Sequence, residues 1–381
     1  MNSPAPIPAL PVPFEIFLVA TPGLEAALCA EAQAAGFADA AVVAGGVTLT
    51  GGWPEVWRAN LVLRGVTRVL VRIGAFRALH LAQLDKRARK MPWAAVLRRD
   101  EPVRVEASCR NSRIYHNGAA AQRIATAISE ELGAPLADDA LVRVMVRIED
   151  DLVTISIDTT GESAHKRGFK QALNRAPMRE TMAALFLNLC GYDGREPVLD
   201  PMCGSGTFVI EAAEIAVGLR PGRERQFAFE QLIGFDAEAW QALKGGGEAQ
   251  TTEFRFYGSD RDAGAIRMSR ENAERSGVAA LTQFDAVPIE DLTAPEGPPG
   301  LVIVNPPYGA RIGNKAPLMA LHRSLGVVLR QKFPGWRVGL ITTDRKLAEA
   351  TGLPWLPPGP PVLHGGLRVR LYQTAPLPGG R

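Results

Sequence analysis

The chain has 381 residues, 46% hydrophobic and 22% charged, with a mean hydropathy of +0.00 and a net charge of +3, the composition of a soluble globular protein with length for two or three domains. No apolar run approaches the roughly 18 residues of a membrane span, and the proline-rich start MNSPAPIPALPVP lacks the basic residues of a signal or transit peptide. The four cysteines (Cys29, Cys109, Cys190, Cys203) form no CxxC pair, so neither disulfides nor a metal site is expected and a cytoplasmic location is.

Charge is unevenly spread. Lys and Arg against Asp and Glu number 1 to 5 in residues 1–60, 16 to 12 in 61–160, 4 to 1 in 161–176 and 22 to 22 in 177–381. The positive excess sits mid-chain, where it can serve a polyanion, although a solvated arginine-rich surface gives the same count.

In chain order, residues 1–13 read as disordered. FEIFLVAT predicts a strand and PGLEAALCAEAQAAGF a helix entered at Pro22 and closed at Gly36. GGVTLTGG is a short strand between glycine turns, WPEVWRANLVL a helix and VTRVLVRIGAF a half-buried strand. A basic helical run LAQLDKRARKMPWAAVL follows, then strand PVRVEASCR, helix GAAAQRIATAISEELG and strands LVRVMVRIED and DLVTISIDTT. This is an α+β region of small alternating elements, ending near residue 160.

From residue 177 the pattern changes. APMRETMAALFLNLCGY is an amphipathic helix, and EPVLDPMCGSGTFVIEAAEIAVGL reads strand, glycine turn, helix. Strands FRFYGSD, TQFDAV, LVIVNPPYG and WRVGLITTD alternate with helices, and VLHGGLRVRLYQ closes as a hairpin. Such alternation predicts a doubly wound, mostly parallel sheet, with ligands beyond the carboxyl ends of its strands.

Chemistry-bearing residues fall at those ends. In DPMCGSGT (200–207), Gly204 and Gly206 let backbone approach a ligand in front of a helix N-terminus, yet the run is neither GxGxxG nor a P-loop. Asp260 is placed to hydrogen-bond a ribose diol or to cap the next helix, and Asp285 can accept from an adenine amino group. Together they describe a pocket for an adenosine-bearing cofactor. In NPPYG, the Asn305 side-chain oxygen and the Pro306 carbonyl are two acceptors that proline holds at fixed separation, and Tyr308 offers a stacking face. Two acceptors on an exocyclic NH2 leave its lone pair free to attack a sulfonium methyl, so catalysis rests on positioning.

DPMCGSGT, GSD, QFDA and NPPYG, in that order, resemble class I S-adenosylmethionine-dependent amino-methyltransferases. HKRGFK (165–170), APMRETMAA (176–184), FAFEQL and FPGW are further similar to RNA methyltransferases with an N-terminal THUMP domain, whose bacterial members modify guanine N2 in 23S ribosomal RNA. The likeness covers about residues 14–375. It implies a Rossmann-like methyltransferase domain (177–381, a mostly parallel seven-stranded sheet), a ferredoxin-like α+β subdomain (14–64), a THUMP domain (65–160) and a basic linker (161–176). The larger relatives fuse a second methyltransferase domain; this chain corresponds to their N-terminal half, so only the N2 activity is implied.

The same resemblance implies site residues. The methionine moiety falls to Asp200, Pro201, Cys203, Gly204, Ser205, Gly206 and Thr207, with Met178 and Thr181 from the 177–181 segment. Ribose falls to Asp260 and Arg261, adenine to Asp285 and Ala286, and the target base to Asn305, Pro306, Pro307 and Tyr308. Lys86, Arg87, Arg89, Lys90, Arg110, Arg113, His116, Lys166 and Arg167 are expected to contact phosphates of a structured RNA, ribosomal or transfer. The target base must leave its stack to reach the turn. A monomer is expected, with no metal and no membrane.

NPPY alone also fits a DNA adenine-N6 or protein-glutamine methyltransferase, and a non-catalytic RNA-binding assembly factor is a further alternative. Carbon methylation would need a cysteine beside the NPPY turn, and none is there.

Overall fold

The computed structural model describes residues 10–170, 178–247, 249–307 and 316–379. The chain divides into two compact units. One comprises residues up to Ala20, Ala32–Ala164 and Gly222–Gly246; the other comprises Thr21–Glu31, His165–Pro221 and residues from Gly247 onward.

The first half of the chain contains β1 (Phe14–Val19), α1 (Glu25–Ala34), β2 (Ala41–Val43), β3 (Gly46–Gly51), α2 (Trp53–Val62), β4 (Arg68–Arg77), α3 (Leu81–Ala88), β5 (Val103–Arg110), α4 (Asn117–Leu132), β6 (Val142–Glu149) and β7 (Leu152–Asp158). The strands form one sheet in the order β2-β3-β1-β4-β7-β6-β5, antiparallel except for β5 and β6. A parallel pair needs a crossover, and α4 supplies it. In β6, Val142, Val144, Val146 and Ile148 are all buried, as period-2 alternation requires of a core face. The expected boundary at 64/65 falls inside this sheet, because ten-residue β4 pairs with β1 on one side and β7 on the other.

Some expected elements shift for local reasons. Helix α1 starts three residues after Pro22, because Gly23 takes a left-handed φ of +95° and its N–H is held by the Glu25 carboxylate at 2.8 Å. The basic run leaves the helix at Ala88, whose carbonyl accepts the Trp93 indole N–H at 2.9 Å. Strand β2, three exposed residues, carried no alternation to detect.

The later elements are α5 (Glu180–Leu189), β8 (Val198–Asp200), α6 (Thr207–Ala216), α7 (Ala237–Gly245), β9 (Phe256–Ser259), α8 (Ala263–Ser276), β10 (Thr282–Asp285), β11 (Leu301–Val304), α9 (Ala316–Lys332), β12 (Arg337–Thr342), α10 (Arg345–Ala350), β13 (Val362–His364) and β14 (Leu367–Gln373). Residues 222–246, α7 included, cluster with the first unit although the sequence reading put them in the methyltransferase domain. Phe227 and Phe229 stack at 5.1 Å, Trp240 meets Phe229 edge-on at 5.0 Å, and Trp57 of α2 packs on Phe229 and Phe235.

The second unit carries a seven-stranded sheet, β10-β9-β8-β11-β12-β14-β13, parallel from β10 through β12 and antiparallel on both sides of β14. The uninterrupted apolar run of β11 is buried along its whole length, as a central parallel strand must be. Leu325 and Leu329 of α9, with Phe333 just past its end, fill the core against Val302, Val304, Val338 and Leu340. The chain runs outward from β8 to β9 and β10, then returns to β11 on the other flank of β8. The strand order therefore switches between β8 and β11, where an open α/β sheet opens a crevice.

Candidate active site

The carboxyl ends of β8, β9, β10 and β11 bear Asp200, Asp260, Asp285 and Asn305 respectively. Asp200 is 3% exposed and accepts the Met202 N–H at 3.0 Å. Burial pushes its pKa up from 3.8 to about 8; the Met202 N–H opposes this and the charge of Asp260 adds to it.

The glycine turn is pinned from several sides. Pro201 is buried, its carbonyl 3.5 Å from the Ser259 hydroxyl, and the Cys203 N–H donates to the Ser259 carbonyl at 2.9 Å. Gly204 and Gly206 take left-handed φ angles of +54° and +81°. A Cβ on Gly206 would stand 3.1 Å from Ser269 and 3.2 Å from Phe284. From α8, Ser269 donates to the Gly204 carbonyl at 2.9 Å and Asn272 to the Ser205 carbonyl at 3.1 Å. Helix α6 begins at Thr207, so its first-turn N–H groups and dipole favour an anionic group at the turn. Burial drives the Cys203 thiol well above its ordinary pKa, so this cysteine is no nucleophile.

Asp260 joins two turns, one oxygen accepting the Gly204 N–H at 3.1 Å and the other the Asp262 N–H at 3.0 Å. The helix cap is Asp262 itself, which accepts from Gly264. Arg261 is exposed. Asp285 accepts from the Gln283 amide at 2.7 Å and stands 3.8 Å from Arg270. Exposed Ala286, with Ala263, Ile266, Arg267 and Arg270, lines a groove of about 420 Å³ along α8.

The segment before α5 is fastened to the turn by Lys170, which the sequence reading did not single out. Its ammonium donates to Thr207 Oγ1 at 2.8 Å and the Met178 carbonyl at 2.9 Å, and pairs with buried Glu180 at 3.1 Å. Burial pushes the Glu180 carboxyl up and Lys170 pulls it back. Met178 and Thr181 are both buried, and Thr181 Oγ1 has no hydrogen-bond partner. Residues 171–177, including the start of the 177–181 segment, lie outside the described residues.

Asn305 directly follows β11. Its Oδ1 is buried and has no hydrogen-bond partner. Pro306 is buried and Pro307 exposed, and the pair restricts the backbone of Asn305 and Pro306. Tyr308 lies outside the described residues. Two orphaned acceptors, on Thr181 and Asn305, suit a site whose ligands complete its hydrogen bonding.

The cations expected to meet RNA divide. Lys86, Arg87, Lys90, Arg110, Arg113 and Lys166 have exposed side chains. Arg89 does not belong with them: its guanidinium is held by Asp85 at 3.1 Å, Glu130 at 2.6 Å and Glu131 at 3.1 Å. His116 caps α4, accepting the Ala119 N–H on Nδ1 at 3.0 Å. Arg167 corrects the expectation most plainly. Its side chain is 1% exposed and faces the equally buried Glu211 at 3.4 Å, so it cannot reach a phosphate. Among the described residues no grouping of His, Cys, Asp or Glu is placed to hold a metal ion, and no helix is long and apolar enough to cross a membrane.

Residues 167–354 match the RMKL-like methyltransferase domain, and residues 15–70 match the RlmL ferredoxin-like domain. A possible methylase from Clostridium difficile 630 shares 29% identity over 97% of this chain and 100% of its own, with a TM-score of 0.88. A predicted N6-adenine-specific DNA methylase from Listeria monocytogenes shares 30% identity over 95% of this chain and 96% of its own, with a TM-score of 0.85. SMU.472, assigned as a methyltransferase and crystallised with S-adenosylhomocysteine, shares 26% identity over 97% and 99%, with a TM-score of 0.87.

Proposed function

The chain belongs to the RMKL-like methyltransferase family, with S-adenosylmethionine as its cofactor, and from that premise we propose that it methylates the exocyclic N2 of a guanosine in RNA, with 23S ribosomal RNA as the substrate. The observation that carries this reading is Asn305 Oδ1, a buried acceptor with no partner at the end of β11. An unmet buried acceptor costs about 1–3 kcal/mol, which a bound NH2 group would recover.

Asn305 Oδ1 and the Pro306 carbonyl accept the two amine hydrogens. That leaves the nitrogen lone pair unengaged, and the two prolines keep the acceptors from relaxing away. Bound S-adenosylmethionine supplies an electrophilic sulfonium methyl. No residue has to remove a proton first, because the amine is neutral before transfer. Tyr308 is assigned the face of the base. Asp200 and the 203–207 turn take the methionine moiety with Thr181, Asp260 takes the ribose, and Asp285 with Ala286 takes the adenine.

RNA is favoured by the resemblance of residues 65–160 to a THUMP domain and by the exposed cations Lys86, Arg87, Lys90, Arg110, Arg113 and Lys166. The test is transfer from tritiated S-adenosylmethionine to separate pools of rRNA, tRNA and DNA, followed by nucleoside analysis. N2-methylguanosine in rRNA is the expected product. Label confined to DNA, or N6-methyladenosine, defeats the proposal. Asn305→Ala should lower turnover at least about a hundredfold while cofactor affinity stays near wild type, since one lost acceptor of this kind costs about 2.7–4 kcal/mol. If cofactor affinity collapses with turnover, Asn305 is not the amine's acceptor.

A further inference from the structure

We propose that the loop between β5 and α4 is a stacking platform for an unpaired nucleobase, with Tyr115 as its face and Arg113 as the cation beside it. This rests on the RNA reading above and names a contact made by residues other than those assigned to the transfer chemistry. Tyr115 is 82% exposed, more than any other large apolar side chain among the described residues, and its ring meets no other ring and no cation there.

A tyrosine so exposed could belong to a loose loop, but this loop is laced to its neighbour. Ile114, 4% exposed, anchors it in the core. The Arg113 N–H donates to Asp151 Oδ1 at 2.8 Å, and the Asp151 N–H donates to the Ser112 hydroxyl at 3.1 Å. That hydroxyl donates to the Arg110 carbonyl at 2.7 Å, and the Cys109 N–H donates to Asn117 Oδ1 at 2.9 Å. Asn111, Asp150 and Asp151, at φ of 49°, 50° and 63°, are the described non-glycine residues with left-handed backbone, and all three lie in these two adjoining turns. Asn and Asp take this backbone readily, and Asp150–Asp151 form the tight two-residue turn between β6 and β7. The ring is thus presented with little ordering left to lose on binding.

Charge selects the occupant. The run CRNSRIYHNG (109–118) carries two arginines and no acid. Nearby, Glu149 already faces Arg147 and Arg110, and Asp151 is engaged by the Arg113 backbone. The Arg113 guanidinium has no carboxylate partner among the described residues, and the 16-residue helix α4 starts two positions after Tyr115. An exposed ring two residues from an unneutralised guanidinium fits a base with its phosphate. A stacking face can be used only by a base already out of a duplex, so the ligand is single-stranded.

The experiment measures, with the full-length protein, fluorescence anisotropy of a labelled single-stranded RNA and of the same sequence as a duplex, at several salt concentrations. Tyr115→Ala should weaken the single strand about 5- to 150-fold, the worth of one stacked base, with an unchanged salt slope and unchanged duplex binding. Tyr115→Trp should stay within about threefold of wild type. Arg113→Ala should flatten the salt slope by about 0.7. Unchanged single-strand affinity in Tyr115→Ala overturns the contact, as does an equal loss on the duplex. If wild type binds neither RNA, the RNA reading falls and takes this contact with it; if wild type binds RNA and Tyr115→Ala binds it equally, only the contact falls.

Discussion

Replacing Asp200 by asparagine interrogates the cofactor pocket through its protons. The buried carboxyl titrates near 8 instead of 3.8, so at pH 7 it is protonated in about nine-tenths of the free protein. A cofactor ammonium held at this carboxyl will ionise it, because an opposite charge at contact favours the charged form. Binding should then expel about 0.9 proton at pH 7, about 0.5 at pH 8 and about 0.1 at pH 9. Affinity should follow the carboxylate fraction, from about 0.01 at pH 6 to about 0.5 at pH 8, a tightening of about fiftyfold. Titration calorimetry of S-adenosylhomocysteine in buffers of different ionisation enthalpy counts the protons, and the release seen with Asp200→Asn is subtracted to remove the ligand's own titration. Equal release by wild type and variant at pH 7 would refute the placement of Asp200 at the ammonium. Stability offers a second sign check. A folded pKa raised above the unfolded one gives stability that is full below about pH 3.8 and lost as pH climbs through about 8. The melting temperature of the ligand-free wild type should therefore fall, relative to Asp200→Asn, between pH 5 and 8.

Thr181→Val removes a buried hydroxyl that has no partner, so the ligand-free protein should melt no lower than wild type, while cofactor affinity weakens by about 3- to 10-fold; unchanged affinity by calorimetry would place that hydroxyl outside the pocket. Gly206→Ala adds a Cβ at a left-handed φ of +81° and 3.1 Å from Ser269. It should cost about 1–3 kcal/mol in chemical denaturation and abolish measurable cofactor binding, and a variant with wild-type stability would show that the turn relaxes freely.

The strand ends were legible because two signals coincided there. Apolar runs marked VLD and LVIVN as ends of buried strands, and Asp200 and Asn305, the polar residues closing them, are the ones proposed to meet ligands; β10, an edge strand with Phe284 as its buried residue, carried a weaker signal in TQFD. What fastens the site was not legible, since it comes from afar: Lys170 reaches Thr207 across 37 positions, and Ser269 reaches Gly204 across 65. Arg167 shows the converse error. Its neighbours Lys166 and Lys170 made HKRGFK look like a basic surface, while its partner Glu211 lies 44 positions on in an apolar helix. Arg89 misled similarly, its acids Glu130 and Glu131 sitting at the far end of α4.

The excursion at 222–246 sets the order in which this chain can mature. The sheet of the first unit has all its strands once Asp158 has been synthesised, yet Trp57 still lacks Phe229 and Phe235, which follow about seventy residues later. Through that interval an aromatic face stays bare on the growing chain. By then β8 and α6 have also emerged, but β9 cannot pair with β8 until the excursion is complete. The first unit can close only once Gly246 is made, and the second waits further for β9 to β14. A gene cut after residue 164, at the point where the strands suggest a domain ends, encodes an unfinished core.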